Sequence, residues 1–113
     1  MPYDVRQSVM DAMCACQDIQ EYTAGHTLET YRKNSRDVAA VERKLEILGE
    51  AFKRIDDADP SFRSHFPETG EIIGMRNRLI HGYEVVSDLV VWATVKENVP
   101  ALVTKLSAWL NEN

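Results

Sequence analysis

No stretch of this 113-residue chain approaches the 18 or so uninterrupted apolar residues a membrane-spanning helix needs, although 44% of its residues are hydrophobic. A membrane partner is therefore excluded from the reading. The first residues, Met1-Pro2-Tyr3-Asp4-Val5-Arg6, carry neither a basic start nor an apolar run, so no signal peptide is expected and the cytosol is the expected compartment. Cysteine is nearly absent. Cys14 and Cys16 sit two apart in a helical pattern, where they project to different sides and cannot bridge each other, and free thiols fit a reducing compartment. The three histidines, His26, His65 and His81, show no ligand spacing around them, so no metal is expected.

Basic charge is also short. Against 18 acidic residues stand 13 Lys and Arg, a net charge of −5, which counts against a general nucleic-acid binder because phosphate contact draws on clustered cations. Any RNA contact must be local. Basic residues gather at Arg32, Lys33 and Arg36 and again at Arg76 and Arg78; the first group reads as a solvated mixed-charge surface. There is no Gly-x-x-x-x-Gly-Lys phosphate loop, no Gly-x-Gly-x-x-Gly turn, no Gly-x-Ser-x-Gly elbow and no His-Glu-x-x-His helix, so the enzyme classes built on them find no footing. With no repeat, low-complexity tract or linker, residues 1–113 make one domain.

What the chain does have is helical periodicity. From Asp4 to about Tyr22, the residues Val5, Val9, Ala12, Cys16 and Ile19 recur at steps of three and four, with Gly25 as the break after them. Leu28 and Tyr31 mark a short helical turn. Asn34 or Ser35 can then cap a long helix whose face is Val38, Val41, Leu45, Leu48, Phe52 and Ile55. Asp56-Asp57-Ala58-Asp59-Pro60 is turn chemistry, and Ser61 to Phe66 holds one turn whose Phe62 and Phe66 plug the core. Pro67 suits the first turn of a third long helix. Ser87 or Asp88 caps a segment from Leu89 to Val99, and Pro100 either opens a separate last helix or kinks a continuous one through Leu102, Leu106, Trp109 and Leu110. No alternating run supports a strand.

The third helix carries the octet Arg76-Asn77-Arg78-Leu79-Ile80-His81-Gly82-Tyr83. A guanidinium offers a planar fork to phosphate oxygens and an imidazole moves a proton near neutral pH, so the set suits metal-free handling of a phosphodiester. Stepping about 100° per residue puts Ile72, Met75, Leu79 and Tyr83 on an apolar side and Gly74, Asn77, Arg78 and His81 on the other. Asn77 and His81 are neighbours four apart, and Gly74 would let another backbone or a ligand come close. Arg76 points toward the apolar side, where it needs a carboxylate, a set of carbonyls or an anionic ligand; an acid such as Glu42, Glu46 or Glu50 would make it a core ion pair. Residues five apart do not share a helical face, so Arg76 and His81 can meet one phosphate if the helix distorts near Gly82 or if a symmetric dimer joins two octets.

The octet resembles the signature of the HEPN superfamily of small helical RNases, and most closely that of HepT-like toxins. The likeness extends to Glu21-Tyr22-Thr23-Ala24-Gly25, to Val41 through Ala51, to Phe66-Pro67, to Ile72-Ile73-Gly74-Met75 and to Val91-Trp92-Ala93-Thr94-Val95. It implies an all-α fold, an antiparallel up-and-down bundle of four to five helices. It implies a homodimer with the arginine and histidine of both subunits at a groove, catalysis by Arg76 and His81 with support from Asn77 and Tyr83, and no cofactor. His81 would take the proton of a ribose 2′-hydroxyl as it attacks phosphorus, which spares DNA, while Arg76 stabilises the growing phosphoryl charge. In HepT-like toxins the tyrosine matching Tyr83 can be modified with AMP by a cognate minimal nucleotidyltransferase antitoxin. Many members carry an acid between the histidine and the tyrosine, whereas this chain has Gly82, a departure that bears on partner recognition. Two other readings remain: a non-catalytic helical adaptor in which Arg76 and His81 grip a nucleotide or RNA end, and a plain scaffold.

Overall fold

The computed structural model describes residues 4–81 and 86–113. Helices α1 (Val5–Thr23), α2 (Leu28–Lys33), α3 (Ser35–Ala58), α4 (Thr69–His81), α5 (Asp88–Ala93) and α6 (Val99–Glu112) account for most of them, and no strand occurs among the described residues. The all-α reading holds. Each helix start has a local cause. Asp4 caps α1 by accepting from the Gln7 N–H, Thr27 and Thr30 form a capping box on α2, and the Asn34 side chain, not Ser35, accepts from the Asp37 N–H at 3.0 Å to open α3. Ser87 caps α5, its hydroxyl accepting from the Leu89 N–H. Gly25, at φ 79°, takes the left-handed conformation that lets the chain turn after α1.

The octet helix starts two residues later than Pro67 suggests. Pro67 lies in a turn, and the Thr69 hydroxyl donates back to the Phe66 carbonyl at 2.6 Å while the Ile72 N–H bonds the Glu68 carbonyl. At Pro100 the helix does not stop. Proline has no N–H for the Lys96 carbonyl, and the backbone widens into a π turn, Thr94–Asn98, in which the Val99 N–H reaches back five residues to Thr94. Helix α5, the π turn and α6 thereby run on without a break, so the described residues make a bundle of five helical segments.

The core is built from the expected faces. Val9, Ala12, Cys16 and Ile19 of α1 meet Val41, Leu45, Leu48, Phe52 and Ile55 of α3, with Leu102 and Leu106 of α6 closing the layer. Burial pushes the Cys16 thiol up to about 12, which keeps it protonated and inert, while Cys14 is exposed. A 3-10 turn, Pro60–Ser64, joins α3 to the antiparallel α4, and its Phe62 stacks on Phe66 with ring centroids 4.5 Å apart. Phe52 and Trp109 meet that stack edge-on. Ion pairs between elements add register: Lys44 to Asp18 at 2.9 Å ties α3 to α1, and Lys105 to Glu68 at 2.8 Å ties α6 to the start of α4.

Candidate active site

Helix α4 presents Arg76 toward α3, as its place among Ile72, Met75 and Leu79 predicts. All three of those apolar neighbours are partly buried against the core. The close approach of the two helices is set by Gly49, in the middle of α3. A Cβ there would overlap Arg76 Cβ, lie 2.8 Å from Arg76 Cγ and stand 3.2 Å from the Ile72 carbonyl oxygen. Ordinary carbon contacts lie at about 3.5–4.0 Å, so the arginine stem occupies the space a side chain would take.

The acids expected to neutralise Arg76 do not reach it. Arg43 takes Glu46 at 3.7 Å and Glu50 at 3.9 Å, on the flank of α3, and no carboxylate pairs with Arg76 among the described residues. Arg76 instead donates from Nη1 to Asn77 Oδ1 at 2.8 Å. Adjacent helix positions point about 100° apart, and the long arginine stem bridges that angle. Its Nε is sealed from solvent with no hydrogen-bond partner among the described residues. An unsatisfied donor of that kind costs about 1–3 kcal/mol, a sign that the guanidinium is held for something other than stability.

The remaining octet groups separate. Arg78 and His81 are exposed, His81 as the last residue of α4. Arg76 faces α3 and His81 faces solvent, about 140° further around the helix and about 7.5 Å along it. One chain does not bring the two onto a shared face. Gly74 and Arg78 line a groove of about 460 Å³ between α4 and the continuous run of α5 and α6, floored by Leu48, Met75 and Leu102. The space over Gly74 is open, with nothing within 4 Å of a Cβ built there. Gly82 and Tyr83 lie outside the described residues. Asn77, four residues before His81 on α4, gives its amide oxygen to Arg76.

Beyond the octet, Glu42 of α3 is half-buried, and burial together with nearby Asp88 and Glu46 raises its carboxyl above the ordinary range. Tyr31 is fully buried against Trp92, with ring centroids 5.2 Å apart and its hydroxyl without a hydrogen-bond partner among the described residues. Sequence reading missed Gly49 as the neighbour of Arg76 and did not foresee the raised carboxyl of Glu42 or the unpartnered hydroxyl of Tyr31. A lone glycine inside a 24-residue amphipathic helix was the available signal for the first. Among the described residues no cluster of three His, Cys, Asp or Glu side chains could hold a metal ion.

A family model described as Ribonuclease HepT-like matches residues 13–108. A candidate RNase of Methanocaldococcus jannaschii is 35% identical over 101 residues, covering 88% of this chain and 90% of the relative. A second candidate RNase of the same organism is 34% identical over 99 residues, 88% of this chain and 84% of its own length. A ribonuclease HepT candidate of Thermococcus cleftensis is 39% identical over 90 residues, 78% of this chain and 79% of the relative. No solved structure matches the chain. With a compact all-α bundle and a family match that spans the octet, this chain belongs to the HepT-like ribonuclease family of the HEPN superfamily.

Proposed function

We propose that the chain is a metal-independent endoribonuclease toxin, paired with a minimal nucleotidyltransferase antitoxin, that cleaves RNA at a site shared by two copies of the octet. The observation that carries this reading is the state of Arg76: half-buried, held by Asn77, and left without a carboxylate among the described residues. An anionic ligand is the natural complement of a guanidinium kept that way. Phosphate oxygens supply it, and they do so at one local point, as a chain of net charge −5 requires.

In this mechanism His81 accepts the proton of a ribose 2′-hydroxyl as its oxygen bonds to the adjacent phosphorus. The bond from phosphorus to the departing 5′ oxygen breaks, that oxygen takes the proton His81 had accepted, and the products are a 2′,3′-cyclic phosphate and a 5′-hydroxyl end. Arg76 stabilises the charge that grows on the non-bridging oxygens. Because Arg76 faces α3 and His81 faces solvent, a two-fold pairing that sets one copy's arginine near the other's histidine answers the geometry better than one chain alone. Tyr83 is the proposed AMP acceptor, where added bulk and negative charge would repel an RNA backbone.

The test is cleavage of labelled RNA and of the matching DNA by wild-type, Arg76→Ala and His81→Ala proteins in excess chelator, with product ends identified. Wild-type cleavage of RNA alone, ending in cyclic phosphate and lost in both variants, is the expected result. Equal cleavage by all three proteins would remove the catalytic roles, and loss of wild-type activity in chelator would remove metal independence. A monomer at micromolar concentration that still cleaves would remove the shared site. Mass spectrometry of protein co-expressed with the antitoxin tests Tyr83 through an added nucleotide mass.

A further inference from the structure

We propose that Gly49 is a positioning residue for Arg76: the bare backbone of α3 at this point is the slot that sets how far the guanidinium reaches. This rests on the ribonuclease reading for its catalytic consequence, but the contact stands on geometry alone. Gly49 is buried, and α3 is otherwise continuous and amphipathic, so local backbone conformation gives no reason for a glycine there. Glycine in a helix interior is in fact unfavourable by about 1 kcal/mol relative to alanine. The reason lies across the interface, where the first two carbons of Arg76 and the Ile72 carbonyl fill the place of a side chain.

The consequence follows from distance. The added Cβ overlaps Arg76 Cβ, which is fixed to the backbone, so swinging the stem gives no relief; α4 must back away, and restoring ordinary contact with Arg76 Cγ alone, at 2.8 Å, takes roughly 1 Å. The far end of that stem is tethered to Asn77 Oδ1 on the same helix, so the guanidinium is carried along with α4 rather than left in place by a free side chain. A misplacement of about 1 Å at a catalytic group is worth roughly 100-fold in rate. Gly49 thus acts through Arg76, touching no substrate itself.

Two measurements decide the matter. The first is a thermal-denaturation cycle of wild type, Gly49→Ala, Arg76→Gly and the double variant, which needs no RNA. Gly49→Ala should lower Tm strongly in the wild-type background and far less in the Arg76→Gly background, because removing the stem empties the slot. Equal losses in both backgrounds would overturn the proposal. A Gly49→Ala chain too unstable to purify still gives an answer, because the proposal requires Arg76→Gly to restore its folding.

The second measurement is steady-state cleavage of RNA below the melting range. Gly49→Ala should lose about 100-fold in kcat with KM held within a few-fold. Leu106→Ala, a buried change in α6 away from the seam, should lose stability and keep the wild-type rate. Wild-type kcat in Gly49→Ala would overturn the positioning role, as would an equal loss in Leu106→Ala. If the wild-type protein cleaves no RNA, the ribonuclease reading fails, while the denaturation cycle still judges the coupling of Gly49 to Arg76.

Discussion

The two ends of α3 treat charge in opposite ways. At its C-terminal corner Asp56 receives Arg63 as a fork, Nε at 2.6 Å and Nη2 at 2.9 Å, and that hydrogen-bonded arginine holds the Asp56 carboxyl below the ordinary range. The same corner packs the Phe62 and Phe66 stack. Toward the other end, Glu42 stands near Asp88 and Glu46, its carboxyl raised by burial first and by those charges second. The antiparallel α4 starts at the paired corner and brings Arg76, which no carboxylate among the described residues pairs, to Gly49 in the middle of α3. Ion pairing and aromatic packing join the helices at the corner, whereas the Nε of Arg76 in the α3–α4 seam has no hydrogen-bond partner among the described residues. A region built to be stable leaves nothing for a ligand to complete.

The largest break in that comparison is at the corner. Phe66→Ala should cost about 3–5 kcal/mol in chemical denaturation, with the folded fraction keeping its cleavage rate. Arg76→Ala should do the reverse, losing about 100- to 1000-fold in cleavage, comparable with removing a single charge-stabilising donor, while Tm holds or rises because a sealed Nε disappears. Asn77 lies between these extremes. A hydrogen bond to a charged group is worth about 1.5–3 kcal/mol, so Asn77→Ala should slow cleavage about 10- to 100-fold. Asn77→Asp would make the octet resemble the corner by giving Arg76 a carboxylate: Tm rises and cleavage falls. If Asn77→Asp cleaves at the wild-type rate, neutralising Arg76 is harmless and the comparison loses its meaning.

The smallest effects are read by pH. A carboxyl raised in the fold binds its proton more tightly there than in the unfolded chain, so Glu42 lowers stability as pH climbs from its ordinary value of 4.5 through the raised one. Glu42→Gln should therefore raise Tm at pH 7 and make no difference below about pH 4.5. Asp56 has the opposite sign. Its depressed value contributes stability above the ordinary 3.8 that is lost as pH falls through the folded value, so Asp56→Asn should lower Tm at pH 7 and cease to matter in strong acid. Exposure of the Arg63 pair keeps that change slight. Parallel shifts of the two variants with pH would erase the distinction between the ends.

Much of this was open to inspection along the chain. The face Val41, Leu45, Leu48, Phe52, Ile55 is buried as its spacing requires, and Phe62 and Phe66 plug the core from a short turn. The inward direction of Arg76 was also legible, because Ile72, Met75 and Leu79 fix which side of α4 is apolar. Its partner was not. Glu46 and Glu50 were reasonable candidates by helix alone, yet Arg43, three and seven residues away on the same helix, takes them on the flank of α3. The choice at Pro100 turned on one missing N–H that a local π turn could bypass, an outcome spacing does not encode.

By itself the sequence determined which segments are helical, where they are capped, which faces are apolar, and that an arginine, an amide and an imidazole ride on one helix. All of these depend on neighbours within four residues, the reach of a helical turn and its caps. Only the tertiary structure decided that Gly49 meets Arg76 across 27 positions of chain, that no carboxylate among the described residues pairs with that arginine, and that Glu42 stands near Asp88 and Glu46. Those facts depend on which faces of two packed helices come opposite each other. That register is set by the whole core and written at no single position.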